Sequence, residues 1–262
     1  MKETFFGLLF LLSLHLKVGV DPCSPGNSSF KAGETMTFKA YYTLAGIYVS
    51  AGEATFRVNL SKWNNKPAYH IIGEGKTYSF YDGFFRVRDR YETLIDTATL
   101  QPYRFIRNIS EGNYHKTENV TFNQANNTAV TTDSVVKIPA CTQDVISLLY
   151  NARNIDFNSY KINDKIPVTM YLDNEVYNIY IRYLGRETVK TKKGKFKAIK
   201  LRPLLIRGSV FEGGEKMTAW ISDDLNHIPV RVESAISVGS IKIDLMEYNN
   251  MRYPFSALLE LR

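Results

Sequence analysis

The sequence is short of cysteine, histidine and glycine, and beyond Leu16 it has no long apolar run. Its 16 glycines exclude collagen-like and glycine-repeat architectures. No later segment is apolar enough over enough residues to cross a membrane as a helix. The candidate histidines past the N-terminal run are His70, His115 and His227, and none forms a zinc-type His-x-x-x-His pair. There is no Gly-x-Ser-x-Gly elbow. Nothing therefore supports a catalytic nucleophile, and no catalytic residue, metal or cofactor is expected. No low-complexity linker divides the chain. It carries no nucleic-acid recognition module, so nucleic acid is not an expected partner.

Aromatic residues are plentiful instead. Seventeen Tyr and fifteen Phe favour strands over helices. Apolar residues make up 44% of the 262, a globular composition long enough for a sizeable core. The net charge of +7 is spread rather than blocked. It fits solubility, or attraction to an acidic lipid or glycan.

The N-terminus reads as an export signal. Lys2 precedes an apolar run from Phe5 to Leu14, too short to span a bilayer and typical of a secretory leader. Residues 1–20 are the expected signal peptide and 21–262 the expected single exported β domain. Cys23 and Cys141 are then the only cysteines, and an exported even pair is a disulfide candidate. The bridge would be worth roughly 4–5 kcal/mol in the chain-entropy account. Lipidation of Cys23 competes, although Val20, Asp21 and Pro22 match a lipoprotein signal poorly. Metal binding is weaker, because no ligand lies at the right spacing.

From Phe38 onward, alternation of apolar and polar residues predicts strands at 37–42, 47–59, 68–76, 86–95, 103–110, 115–123 and 128–132. Further strands are expected at 165–172, 175–187, 187–190, 196–201, 204–211, 217–222, 227–234 and 240–248. Asp173-Asn174 marks a tight hairpin turn. One helix interrupts the run, Asp144 to Arg153, with Thr142 as its expected N-cap.

Three constellations could carry function. Asp82, Asp89, Glu92 and Asp96 could form a glycosidase-like acid pair, but the interleaved Arg86, Arg88 and Arg90 make cross-strand ion pairs the simpler account. Lys190, Lys192, Lys193, Lys195 and Lys197 form a basic hairpin, read as solvated edge lysines. The aromatics are the third. Tyr42, Phe80, Phe84, Tyr91 and Trp220 are the candidate lining of an apolar concavity, with ordinary core packing as the competing reading. Five Asn-x-Ser/Thr sequons would matter only in a eukaryotic secretory pathway.

Several stretches occur in a recognisable order: FKAGE at 30–34, FFRVRDRY at 84–91, PYRFIRN at 102–108, CTQDVISLLYNARN at 141–154, KKGKFKAIK at 192–200 and WISDDLNHIPVRVE at 220–233. In that order they resemble the exported family catalogued as domain of unknown function 3108, found in Gram-negative bacteria. The resemblance implies an exported, mostly antiparallel β protein with no established catalytic residues. It also favours the Cys23–Cys141 bridge. The end of the chain is similar to that of periplasmic lipoprotein carriers, which fold as an unclosed β-barrel with helices over an apolar cavity. This chain has one clear helix where the carriers have several.

The expected fold is all-β: a curved antiparallel sheet or open barrel with the short helix on its concave side. The expected role is non-enzymatic, in the periplasm or at the periplasmic face of the outer membrane. The expected partner is a lipid or other hydrophobic ligand; the alternative is a glycan or an envelope protein.

Overall fold

The structure, a computed structural model, describes Cys23 and residues 26–44, 47–206, 213–236 and 239–261. The predicted leader, the turn at Gly46 and most of the predicted 204–211 strand lie outside them.

The chain runs through β1 (Thr35–Leu44), β2 (Ile47–Trp63), β3 (Lys66–Thr77), β4 (Arg88–Asp96), β5 (Pro102–Glu111), β6 (Tyr114–Asn123), β7 (Thr128–Val130) and β8 (Val135–Lys137). The helix α1 (Val145–Ala152) follows. Then come β9 (Lys165–Leu172), β10 (Glu175–Lys190), β11 (Gly194–Pro203), β12 (Met217–Ser222), β13 (Pro229–Ala235), β14 (Ser240–Asn249) and β15 (Leu258–Leu261). All fifteen belong to one antiparallel sheet, ordered β8-β7-β6-β5-β4-β3-β2-β1-β14-β13-β12-β11-β10-β9, with β15 beside β11. The sheet is not closed into a barrel by backbone pairing.

Alternation explains the curl. Along β6, Glu118, Val120 and Phe122 are buried, while Asn119, Thr121 and Asn123 face outward. A sheet with one apolar face hides it by wrapping around it. The enclosed core gathers Phe30, Met36, Phe38, Val58, Ile71 and Phe105 with residues from the later strands. Each fully buried large apolar side chain there contributes about 1.5–3 kcal/mol. A second cluster, around Phe157, Tyr183 and Ile199, lies under β9 to β12.

Helix α1 packs Ile146 and Tyr150 into the main core. Its N-cap is Asp144 rather than the expected Thr142. The Asp144 carboxylate accepts from the amides of Ile146 and Ser147, both at 2.8 Å, and from Thr93 Oγ1 at 2.6 Å. Thr142 instead donates to the Pro139 carbonyl. Ser147 completes a capping box. Arg153 caps the other end and turns inward to Glu34, with Nη1–Oε1 at 2.5 Å and Nη2–Oε2 at 2.9 Å. Both partners are essentially inaccessible.

Two strands went unanticipated, β8 and β15, both short and at the sheet margins. Of the predicted 204–211 strand, the described residues show the Leu204 amide donating to the Tyr180 carbonyl at 2.9 Å and Leu205 in an isolated bridge with Gly214. The Asp173-Asn174 turn is as expected, with φ of 54° and 62°. Its tip reaches across the gap in the sheet. The Asp173 amide donates to Glu118 Oε1 at 3.0 Å, and its carboxylate receives Arg107 and Lys116. Cys23 and Cys141 form a disulfide that spans 118 positions of sequence.

Candidate functional site

In an antiparallel meander, every second connection lies at the same end. The β1–β2, β3–β4 and β5–β6 connections therefore share one end of the curled sheet. That end holds every strongly exposed aromatic side chain among the described residues: Tyr48 (49%), Phe80 (78%), Phe84 (86%), Phe85 (50%) and Tyr114 (42%). Of the exposed large aliphatics, Leu60, Ile162 and Leu225 lie elsewhere, while Val135 follows the β7–β8 connection at the same end.

The centre of this aromatic end is the loop 79–85, SFYDGFF. It is held firmly. The amides of Phe84 and Phe85 both donate to the Tyr81 carbonyl, at 2.9 and 3.0 Å. Asp82 turns back to accept from Thr77 Oγ1 at 2.7 Å and from Arg88 Nη2 at 2.6 Å. Those bonds, Thr77 first and then Arg88, hold the Asp82 carboxyl below its usual range. Phe80 meets Tyr81 edge-on at 5.1 Å. Phe85 lies over Gly112, at φ +58°, where a Cβ would sit 2.9 Å from the ring. Only glycine satisfies both demands.

The five candidate lining residues do not meet in one cavity. Phe80 and Phe84 stand outward on the loop. Tyr91 is inside, its ring 6.4 Å from that of Phe105. Tyr42 is half-buried at the end of β1, near Gly239. Trp220 is buried, and its Nε1 donates to Glu187 at 2.7 Å under the Lys200 ammonium. A cleft of about 380 Å³, lined mostly by charged and polar residues, lies across β2 to β5. Arg57, Glu74, Arg88, Arg90 and Asn108 are among its walls. Much of its charge is internally neutralised: Glu74 binds Arg57 at 2.6 Å and also takes Arg90, which in turn binds Glu92.

Beneath the aromatic end is a buried polar group. Tyr91 has Asp89, Arg107, Glu111 and Tyr114 as electrostatic neighbours, and burial first, then Asp89, pushes its phenol up. Asp89 accepts from the Ser110 amide at 3.0 Å. Burial, with Glu111 beside it, raises the Asp89 carboxyl to about 6. Arg107 Nε lies 2.8 Å from Glu118 Oε2, within ion-pair range but off the line of a hydrogen bond.

Of the four clustered acids, two follow the expected ion-pairing logic, and Asp96 is held by neutral donors instead. Asp82 takes Arg88, Glu92 takes Arg90 and His70, and Asp96 takes the Tyr103 hydroxyl and two amides of its own turn. Asp89 differs: among the described residues no cation pairs with it. The lysine hairpin is not a free edge either. Strand β11 is flanked by β10, β12 and β15, and Lys193 Nζ donates to the Met246 carbonyl at 2.6 Å.

The pattern of the family described as "Protein of unknown function (DUF3108)" matches residues 37–246. The chain belongs to the DUF3108 family. No curated protein sequence matches it. Among solved structures, this DUF3108 chain is similar to a β-barrel-like protein of the DUF1849 family from Brucella abortus, at TM-score 0.57 and 9% identity. That match covers 86% of this chain and 100% of the other. It is also similar to a candidate lipoprotein from Parabacteroides distasonis, at TM-score 0.37 and 10% identity, covering 85% and 100% of the two chains. A candidate exported protein with a YmcC-like fold from Bacteroides fragilis aligns at TM-score 0.33 and 12% identity, covering 85% and 98%. The first likeness shows a shared β-barrel-like fold and nothing finer.

Sequence reasoning missed Arg107, Glu111 and Glu118 as members of the buried polar group. Their parity on β5 and β6 was the available signal: 107, 109 and 111 share a face with the core residue Phe105.

Proposed function

We propose that this DUF3108 protein is exported to the Gram-negative cell envelope. There, in the periplasm or at the periplasmic face of the outer membrane, it works without catalysis. It engages a lipid or other hydrophobic group at the aromatic end of its open barrel. The observation that carries this reading is the segregation of Tyr48, Phe80, Phe84, Phe85 and Tyr114 to one end of the sheet. Scattered exposed apolar residues are ordinary, whereas a concentrated patch marks a binding surface.

The alternative partner is a glycan or an envelope protein. The polar cleft across β2 to β5 favours it, since Arg57, Arg90 and Asn108 could donate to sugar hydroxyls or carboxylates.

Native mass spectrometry of the mature protein, purified from an envelope fraction without detergent, tests the reading. The expected result is a bound mass that extracts into organic solvent. A clean apo mass, together with retention on a glycan array, would replace the first reading with the second.

A further inference from the structure

We propose that the 79–85 loop is a bilayer-docking element, which seats the aromatic end of the barrel on the surface of a phospholipid membrane that carries anionic headgroups. This rests on the reading of the aromatic end as the functional end, and it names the partner.

Shape is the first argument. Phe80 and Phe84, 78% and 86% exposed, stand on a convex turn rather than in a groove. A convex apolar tip gains burial most directly by entering a deformable medium, and the bilayer interface is one.

The second argument is the ordering of chemistry along the tip. Phenylalanines are outermost. The less exposed Tyr48 and Tyr114 stand on neighbouring connections, each with a hydroxyl as well as a ring. Lys242 Nζ donates to the Tyr48 hydroxyl at 2.7 Å. Rings without polar atoms suit the acyl boundary, and rings with hydroxyls suit the headgroup layer.

Charge is the third. Arg86 is exposed immediately beside Phe85. The one acidic residue of the loop, Asp82, is neutralised by Arg88 at 2.6 Å. The tip thus presents a cation with no competing free carboxylate of its own, on a chain of net charge +7.

Rigidity is the fourth. The Tyr81 carbonyl, the Thr77–Asp82–Arg88 bonds and the seat of Phe85 on Gly112 hold the loop in place. Docking then orders little that is not already ordered.

The test is co-sedimentation of the mature chain with vesicles of phosphatidylethanolamine and phosphatidylglycerol. The wild type should sediment with them. Phe80→Ser/Phe84→Ser should bind weaker by about tenfold per ring. Leu60→Ser, at the opposite end, should bind like wild type. Both variants alter exposed side chains, and their melting curves should match the parent. A Phe84→Trp variant should show blue-shifted emission when vesicles are added. Arg86→Glu should weaken binding to these vesicles more than to pure phosphatidylcholine. The proposal is overturned if the wild type stays in the supernatant, if the double serine variant sediments equally well, or if vesicles leave the emission of the Phe84→Trp variant unmoved. An emission shift produced only by an envelope protein would likewise overturn it and assign the loop to that protein. A bound extractable lipid in native spectra without vesicle binding would remove the docking element and leave the ligand reading standing. Vesicle binding by a ligand-free protein would do the reverse.

Discussion

Replacing Arg153 by alanine should be among the most damaging single changes in this protein. The Arg153 guanidinium makes a two-point contact with Glu34, at 2.5 and 2.9 Å, and both side chains are buried. Its Nε also donates to the Asn226 carbonyl at 3.1 Å, and Nη2 to the Ser29 carbonyl at 3.3 Å. Its plane lies 5.4 Å from the Phe30 ring and 5.0 Å from the Tyr150 ring. Truncation leaves a carboxylate in the core with no counter-charge, which costs about 3–5 kcal/mol. The two stranded carbonyls and the lost ring contacts overlap with that figure and bring the total to about 4–6 kcal/mol. At about 2–4 °C per kcal/mol for a chain of this size, Arg153→Ala should melt about 8–24 °C lower. The companion experiment is Glu34→Leu/Arg153→Met, which removes both charges and keeps the volume. It should recover most of the loss, because a buried pair is worth little net once desolvation is counted. Urea unfolding and thermal melting give both numbers. A cost below about 1 kcal/mol for Arg153→Ala, or a double variant worse than the single, would refute the account of this pair as a mutually dependent buried unit.

Two further predictions follow from geometry already described. Reduction of the Cys23–Cys141 bridge, or Cys23→Ser/Cys141→Ser, should lower stability by up to about 4–5 kcal/mol, read as a fall in urea midpoint; an unchanged midpoint would show that the bridge does not constrain the unfolded chain. The contribution of Asp89 and Asp144 to stability should also fall as pH rises from about 4 to about 6, against the opposite trend of Glu74, Glu92, Glu187 and Glu215, whose carboxyls are lowered. Burial raises Asp89 and Asp144 to about 6 from an ordinary 3.8, so across that window the unfolded chain releases protons that the folded chain retains. Asp89→Asn should remove about 1–2 kcal/mol of that fall after allowance for solvent screening; a pH–stability curve identical to wild type would count against the buried carboxyl.

Local chemistry was legible in the sequence. The period-2 runs placed most of the strands, Asp173-Asn174 placed a turn, and the pairing of Cys23 with Cys141 was anticipated from composition, export and family resemblance. Long-range choices were not legible. Glu34 and Arg153 are 119 positions apart, and nothing local marks either as buried. Thr142 and Asp144 are both good N-caps, and Thr93 Oγ1, from a distant strand, bonds the one that caps α1. The interleaved arginines predicted ion pairs correctly for Asp82 and Glu92. Alternation puts Asp89 on the inner face, away from the outward arginines, so it follows a different rule. The aromatics were recognised as excessive, but exposure depends on which end of the sheet each connection occupies. Only the topology separates Phe84 from Trp220.

The strand order has one further consequence, for chain connectivity. Read from β9 to β14 and then from β1 to β8, every neighbour in the sheet path is also a neighbour in sequence, save the single junction of β14 with β1. The fold is therefore a plain meander whose starting point has been rotated. The covalent chain crosses between the sheet's two edges once, through residues 138–164, and that passage carries Cys141 and α1. A circular permutant that joins the two chain ends and opens this crossing would make β14 and β1 successive along the sheet path, linked through β15 and the Cys23 segment, and would make the disulfide the link that still ties the severed crossing to the start of the sheet.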